Sequence, residues 1–567
     1  MIILGIFPGH DGGASLFRDY TRLASVALER PTRVKGDGGR FPSEAVEECL
    51  AQAGLKPDDV DVVTLPRADF PTRYFKPRAR WPMSVGRSDD TTSLIKAMAR
   101  NIIRHPLDAF DAAAYLADCG LKPREIAFYN HHFAHALAPL FHTCWDDALL
   151  YTSDGGGERV HYSARRVAGG RIEEIFGGER ESISFLRRQD GRDSLGRMYF
   201  QVTEALGFRG LRDEGKVLGL AAFGDPVQSE ALKANYKILP SGEIRGRLTN
   251  RQLTQQIRAF AAVARREDMA ASAQKALEDV TIESLRRIRA RHPGRNLGVS
   301  GGVFANVKLT QRIAETFAFD EVFVYPAMSD QGEATGGVLQ YLLDRDGLVR
   351  WLDARAPLGN LYFGRDYMGE VERVFRDGAA CALDAPEGIA ERVAGLIMEG
   401  RIVGTYLGRG EYGPRALGAR TIMASPVDRT INDWLNKRLN RTEFMPFAPV
   451  VRVERCADVF ALPKSLYYSA RYMTVTCDVK PEWRDRIPGV THIDGTARPQ
   501  LLRRADNPLY YDILAAYERR TGIPVVINTS FNAHEEPIIN RPEEALQALS
   551  HGRVDFVVTP GAIFSMT

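Results

Sequence analysis

Paired cysteines are missing from this chain. Its six cysteines, Cys49, Cys119, Cys144, Cys381, Cys456 and Cys477, are scattered over 567 residues with no CxxC among them. That argues against a zinc knuckle or a disulfide scaffold and fits a reducing cytoplasm. A long apolar run is missing too. The opening "MIILGIFPGHDGG" has no basic leader, and its apolar stretch breaks at Pro8 to Asp11, too early for a signal peptide or a membrane span. Neither export nor a membrane partner is expected. Charge of one sign is also lacking, since 75 basic and 72 acidic side chains leave a formal +3. No broad face for nucleic acid follows from that balance, so any anion site must be local. What is present is ordinary globular composition, 44% hydrophobic and 26% charged, in a chain too long for one core. Two or more domains are expected.

Apolar stretches and glycine turns alternate along the chain. "IILGIF" reads as a buried strand running into "PGHDGGAS" and a second strand. The pattern returns in "DALLYTSDGGGERVHYSARRV", so strand, Asp-Gly-Gly, strand occurs twice. Glycine lets backbone amides approach a phosphate, and the neighbouring aspartate can hold a cation or its water. Asp11 with Gly12, and Gly155 with Gly156, are therefore candidate nucleotide contacts; a common hairpin turn is the alternative. "NLGVSGG" places Gly301 and Gly302 at another strand end, where open α/β sheets bind ligands, with Asn306 just beyond. "AMSDQGEATGG" puts Asp330 past a further strand. Periodicity fades over 345–365, so a hinge is placed there, giving domains at 1–350 and 360–567, both α/β.

"HHFAHALA" follows a short strand and has helical spacing, which stacks His131 and His135 on one face. His132 stands where an H-E-x-x-H peptidase would carry its glutamate, so that chemistry is not supported. Asp154 at the end of the next strand could add a carboxylate, and Asp330 could complete the set. Two histidines with carboxylate suit iron, manganese or zinc and leave positions open for phosphate oxygens. His10, at a strand end and titrating near neutrality, is the first candidate for a base.

The segments HHFAHALA, TSDGGGE, SGGVFAN and MSDQGEATGG together resemble the O-carbamoyltransferases of antibiotic tailoring and nodulation-factor decoration. The likeness continues through "SLGRMYFQVTEALGF", "EGKVLGLAAFG", "GEYGPRALGARTI", "RTEFMPFAP", "DGTARPQ" and "NTSFNAHEEPI", in order over nearly the whole chain. It implies an α/β protein with an actin-like, sugar-kinase-like first domain. The second domain would resemble threonylcarbamoyl-adenylate synthases. It further implies that the second domain joins carbamoyl phosphate and ATP into carbamoyl adenylate. The first would then pass the carbamoyl group to a hydroxyl of a small-molecule acceptor, a sugar or secondary metabolite. His131, His135, Asp154 and Asp330 would hold the metal, with iron(II) favoured over manganese, magnesium or zinc. Lys35 would meet the acyl adenylate or the acceptor. Arg415, Arg441 and Arg498, with Asn528, Ser530 and Asn532, would bind carbamoyl phosphate or adenylate, guanidinium forks being suited to phosphate. Glu214 and Lys216 lie in another matched motif without a readable role.

One departure stands out. Where relatives carry K-x-R-E and then F-R-P-F-A-P, this chain reads "LNRTEFMPFAP", with Leu439 for the lysine and Met445 for the second arginine. Lys437, Arg438 or Arg441 could substitute. Between Arg67 and Arg87 a basic, aromatic stretch reads either as an acceptor loop or as a solvated excursion, and is too short to argue for RNA. Two further readings stay open: a tRNA threonylcarbamoylation-type transferase, and an actin-like nucleotide-binding protein that transfers nothing. A sugar kinase fits the first domain alone. The acceptor cannot be read from the residues, and a homo-oligomer is left open.

Overall fold

A computed structural model describes residues 1–79, 91–101, 103–183, 189–383, 388–439 and 447–566. The chain divides into two compact units, Met1–Leu28 with Gly36–Pro357, and Glu29–Lys35 with Leu358–Thr567.

The first unit is built on two sheets of like design. Strands β1 (Ile2–Phe7), β2 (Gly13–Arg18), β3 (Thr21–Ala27), β4 (Val62–Pro66) and β5 (Glu125–Tyr129) form a sheet in the order β3-β2-β1-β4-β5. Strands β6 (Asp147–Gly157), β7 (Val160–Ala168), β8 (Arg171–Phe176), β9 (Asn296–Ser300) and β10 (Val322–Val324) form the second, in the order β8-β7-β6-β9-β10. In both, the first three strands pair antiparallel and the last two add in parallel. This duplication is the actin-like architecture expected from the sequence. β1 is buried on both faces, with Ile3, Leu4 and Ile6 fully enclosed, which explains its continuous apolar run rather than an alternating one.

Helices α1 (His131–Phe141) and α2 (Glu333–Asp346) pack against each other and against these sheets. α1 is buried all round apart from Phe133, as its apolar and aromatic residues require. The two helices approach so closely that a Cβ at Gly336 would overlap the carbonyl oxygen of Ala134. Glycine in "EATGG" is thus demanded by packing despite its cost in a helix.

The second unit is built on an eight-stranded mixed sheet. Its strands are β11 (Ala380–Leu383), β12 (Val403–Thr405), β13 (Thr421–Ala424), β14 (Ala448–Arg452), β15 (Gln500–Leu502), β16 (Val525–Ser530), β17 (Phe556–Val558) and β18 (Ile563–Met566). They lie in the order β11-β18-β17-β12-β13-β16-β14-β15. Helices α3 (Ile389–Met398) and α4 (Pro508–Thr521) pack together, and α5 (Pro542–Ser550) lies against β17 and β18. All six cysteines are free, and among the described residues no helix is long and apolar enough to cross a membrane.

The Glu29–Lys35 segment is fastened to the second unit by its arginines. Arg30 donates to the carbonyl of Gly413 at 2.8 Å. Arg33, in the left-handed region at φ 61°, donates to the carbonyls of Pro537 and Ile538 at 2.8 Å each. Its Nε lies 3.0 Å from Glu544 in α5. Burial lowers the Arg33 guanidinium and raises the Glu544 carboxyl, each partly offset by the other. Removing one partner would strand the other. Arg33→Ala is therefore expected to cost the second unit about 2 to 3 kcal/mol, with Arg33→Lys losing less. Hydrogen exchange of the 525–550 region in the full chain reads this directly; unchanged protection in the alanine variant would remove Arg33 from the account.

Candidate metal centre

His131 and His135 stand on the first turns of α1, which begins where β5 ends. Asn130 caps the helix, its side-chain oxygen accepting from the Phe133 N–H at 2.9 Å, a residue type suited to that position. The same asparagine donates to Glu179 at 3.1 Å. Glu179 and Glu158 both pair with Arg67. Arg67 is buried, at 5% exposure, so the basic stretch that starts there is anchored at its first residue; residues 80–87 of that stretch lie outside the described residues. His132 turns the other way. It bonds Thr152 Oγ1 at 2.7 Å and the Val160 carbonyl at 3.0 Å, and burial holds it well below the ordinary imidazole range. It ties α1 to β6 and β7.

Four side chains converge beside it. One ligand atom from each of His131, His135, Asp154 and Asp330 can be chosen such that all lie within 4.8 Å of one another. His135 Nε2 is 3.5 Å from Asp154 Oδ2 and 3.5 Å from Asp330 Oδ1, and His131 Nε2 is 3.6 Å from Asp330 Oδ1. Both Nε2 atoms and Asp330 Oδ1 are buried without a hydrogen-bond partner. Buried polar atoms are rarely left so, and unsatisfied ones aimed at a common point fit a cation. Two imidazole nitrogens and two carboxylate oxygens are a donor set for a divalent transition metal.

The surroundings hold these groups in place. Asp154 accepts from the Gly302 N–H at 2.8 Å and from the Gly155 N–H, so the two glycine turns grip its carboxylate from both sides. Burial opposes its ionisation, but His135, His131 and the Gly302 N–H outweigh that and hold its carboxyl well below the usual range. Burial likewise opposes a charge on His135, yet Glu333, Asp154 and Asp330 hold its imidazole well above the usual range. Glu333 itself is fully buried, and burial pushes it up to about 7. Its two oxygens lie 3.3 Å from Nδ1 of His131 and 3.3 Å from Nδ1 of His135. The sequence reading missed it, although Glu333 sits three residues after Asp330 in a segment already singled out.

The other sites read from the sequence fall as follows. His10 is part-exposed, 3.6 Å from the Asp11 carboxylate, and Asp11 adopts φ 57°. Gly12 donates to the Asp37 carbonyl at 2.9 Å. Gly155 accepts from His161 at 2.9 Å, and a Cβ at Gly156 would press on that ring. A Cβ at Gly301 would overlap the Ser153 carbonyl. Asn306 caps the helix Val307–Thr316 and donates to Gln274 at 2.7 Å. Lys35 ends the segment counted with the second unit.

Two family models divide this chain between them. The carbamoyltransferase N-terminus matches residues 2–339 and the carbamoyltransferase C-terminus matches residues 394–565. The chain belongs to the carbamoyltransferase family. It is similar to nodulation protein NolNO of Sinorhizobium fredii, 30% identical over 95% of this chain and 76% of the relative. It is also similar to nodulation protein U of Rhizobium tropici, 32% identical over 100% and 96%. Among solved structures, full-length HypF in its phosphate- and nucleotide-bound form aligns over 61% of this chain and 56% of its own at 14% identity, with a TM-score of 0.35.

In the second unit of this carbamoyltransferase, Arg415 lies in the loop that follows Glu411. One oxygen of Glu411 accepts the N–H groups of Leu417, Ala419 and Arg420 at 2.8 to 3.1 Å, fixing that loop from inside. Arg498 is half-buried, and Arg441 and Met445 lie outside the described residues. Asn528 is a sheet-interior residue. It donates to the Ala416 carbonyl at 3.0 Å and to Gln500 at 2.5 Å, and accepts from Thr421 at 3.1 Å. Ser530 donates to Asn532 at 2.7 Å, and Asn532 joins Arg33, Glu536, Glu544 and Arg553 in lining a cavity. Leu439 lines the same cavity, and Arg438 pairs with Asp555 at 2.6 Å.

The tightest steric demand on the centre comes from Gly157, where a Cβ would overlap the His131 ring. Gly157→Ala is expected to push His131 aside and weaken cobalt(II) binding at least about ten-fold, while leaving the cooperative unfolding of the chain intact. Titration followed by visible absorption tests it; wild-type affinity in that variant would show that His131 does not need its present position.

Proposed function

We propose that this carbamoyltransferase is an ATP-dependent O-carbamoyltransferase that activates its donor in the second unit and transfers the carbamoyl group at the metal centre of the first. The observation that carries the reading is the set of three buried, unsatisfied atoms, His131 Nε2, His135 Nε2 and Asp330 Oδ1, aimed at one point among glycine turns. A divalent ion there, iron(II) by preference, would supply positive charge to the phosphate of a bound adenylate.

In the second unit, carbamoyl phosphate would give its phosphate to water. The carbamate oxygen so freed would attack the α-phosphorus of ATP, and pyrophosphate would leave. Arg415, Arg441 and Arg498 are assigned to the anionic groups, with Ser530 and Asn532 nearby in sequence and Asn528 bracing the sheet behind them. Lys35 is assigned to the acyl adenylate. In the first unit, the acceptor hydroxyl would attack the carbamoyl carbon as AMP departs, its proton passing to His10. Asp11, 3.6 Å from the His10 ring, would orient that imidazole. Gly12, Gly155, Gly156, Gly301, Gly302 and Asn306 are assigned to the nucleotide. Gly302 and Gly155 also hold Asp154 through their N–H groups.

Cytoplasmic placement and a small-molecule acceptor, a sugar or secondary metabolite, belong to the same reading. The near-zero charge balance favours it over a tRNA substrate.

Incubating the full-length protein with carbamoyl phosphate, ATP and a panel of hydroxyl compounds should release pyrophosphate and add one carbamoyl group by mass. Asp154→Asn should slow transfer by at least about 100-fold while leaving pyrophosphate exchange that depends on carbamoyl phosphate near wild type. Label moving from the γ-phosphate of ATP into product would sink the reading in favour of a kinase. Threonylcarbamoyl incorporation into tRNA would replace it with a modification enzyme.

A further inference from the structure

Glu333 has no role in the reaction as derived so far, yet it is the most deeply enclosed charge-bearing group near the centre, at 0% exposure. A carboxylate is costly to bury, and among the described residues its ion-pair contacts are the two imidazoles, through which it can act. Its Oε2 lies 3.3 Å from Nδ1 of His131 and its Oε1 3.3 Å from Nδ1 of His135; both oxygens are buried and have no hydrogen-bond partner as placed, so among the described residues these are the only acceptors poised at the two Nδ1 atoms besides Ser300. The rings stand nearly perpendicular, 88° apart with centroids 4.7 Å from each other, so one planar carboxylate spans two differently oriented rings. The other group at these nitrogens is Ser300, whose Oγ is 3.3 Å from His135 Nδ1. The contact exists because the close crossing at Gly336 draws α2 against α1.

We propose that Glu333 is a shared positioning residue that fixes the tautomer of both histidines at once. The inference rests on the reading of this cluster as a metal centre, and on none of the chemistry assigned to it. A neutral imidazole carries one N–H, and an ionised carboxylate can only accept. A carboxylate facing both Nδ1 atoms therefore holds both protons on that side and turns both Nε2 lone pairs toward Asp154 and Asp330. Histidine ligands generally have such a partner for the other ring nitrogen; here one side chain serves two. Glutamine has the same shape but one acceptor and one donor. In Glu333→Gln the amide N–H would meet one Nδ1, move that ring's proton to Nε2, and point an N–H at the centre where a lone pair is needed.

The test uses the full-length chain with cobalt(II) as the probe, and nitrogen-labelled histidine spectra of the metal-free protein read where each ring carries a single proton. In the wild type, His131 and His135 should both be Nδ1–H tautomers. In Glu333→Gln one of them should become the Nε2–H tautomer, with cobalt(II) affinity lower by about ten- to hundred-fold and a weaker visible band. Glu333→Asp, which keeps two acceptors on a shorter stem, should retain both Nδ1–H tautomers with intermediate affinity. A role confined to packing would lower the unfolding temperature and leave the tautomers alone. Two Nδ1–H tautomers with wild-type cobalt affinity in Glu333→Gln would overturn the proposal. If the wild type binds no cobalt(II), the metal reading fails, and the tautomers of the metal-free wild type and glutamine variant still decide the role of Glu333.

Discussion

Three carboxylates cannot share a closed space with two neutral imidazoles unless positive charge joins them. Asp154, Asp330 and Glu333 crowd about His131 and His135, with both histidines and Glu333 out of contact with water. Without a metal, protons are favoured instead: the carboxylates hold the His135 imidazole well above its usual range, and burial pushes Glu333 up to about 7. Such protons are a weak substitute, since they sit on the atoms that a cation would bind or on the partner that orients them. A divalent ion relieves the same repulsion without occupying Glu333.

The rest of the first unit follows from the need to bring these groups together from far along the chain. The ligands come from the ends of strands in the two like sheets or from the segments that follow them. Asp154 comes from the end of β6, His131 from the start of α1 after β5, and Asp330 from the loop after β10. Glycines then set the spacing. Gly336 lets the helices meet and Gly157 makes room for the His131 ring, while Gly302 offers its N–H to Asp154. A side chain at Gly336 or Gly157 would displace a helix or a ligand ring by more than a coordination sphere tolerates.

Much of this was legible in the sequence where the signal is local. The i, i+4 histidines, the aspartates beside glycine turns and the doubled strand-turn-strand pattern all express short-range geometry, and they led to the four converging residues and to an α/β reading, while the actin-like duplication was implied by the resemblance to the O-carbamoyltransferases. Glu333 escaped because its partners are two imidazole nitrogens some 200 residues away, and no spacing rule connects a helix start to a histidine pair on another helix. His132 was visible only as a missing glutamate; that it braces α1 against β6 and β7 depends on strand positions that periodicity does not provide. The fastening of Glu29–Lys35 to the second unit is equally silent, since it runs through arginine bonds to backbone carbonyls, which carry no side-chain pattern. Asn528 carries both kinds of signal. A short polar side chain in a matched motif invites a ligand, but its donors and acceptor are already used within the sheet.

Under the proposed division of labour the two units would face opposite electrostatic problems, and this bears on why one chain carries both. Activating a phosphorylated donor with ATP would gather several anions and call for guanidinium groups on fixed loops; Glu411 pins the loop that carries Arg415 through three backbone N–H groups, as that proposed role would require. Transfer to a hydroxyl instead needs a leaving phosphate stabilised where a proton can also be removed, and a carboxylate-rich pocket would repel that phosphate unless a cation intervened. A single site would have to be strongly basic for the first step and able to hold a metal through carboxylates for the second. Dense arginine would compete with the metal for the same carboxylates. Under the proposed division of labour, separation into two units would remove that competition, and a reactive adenylate would have to survive between the steps.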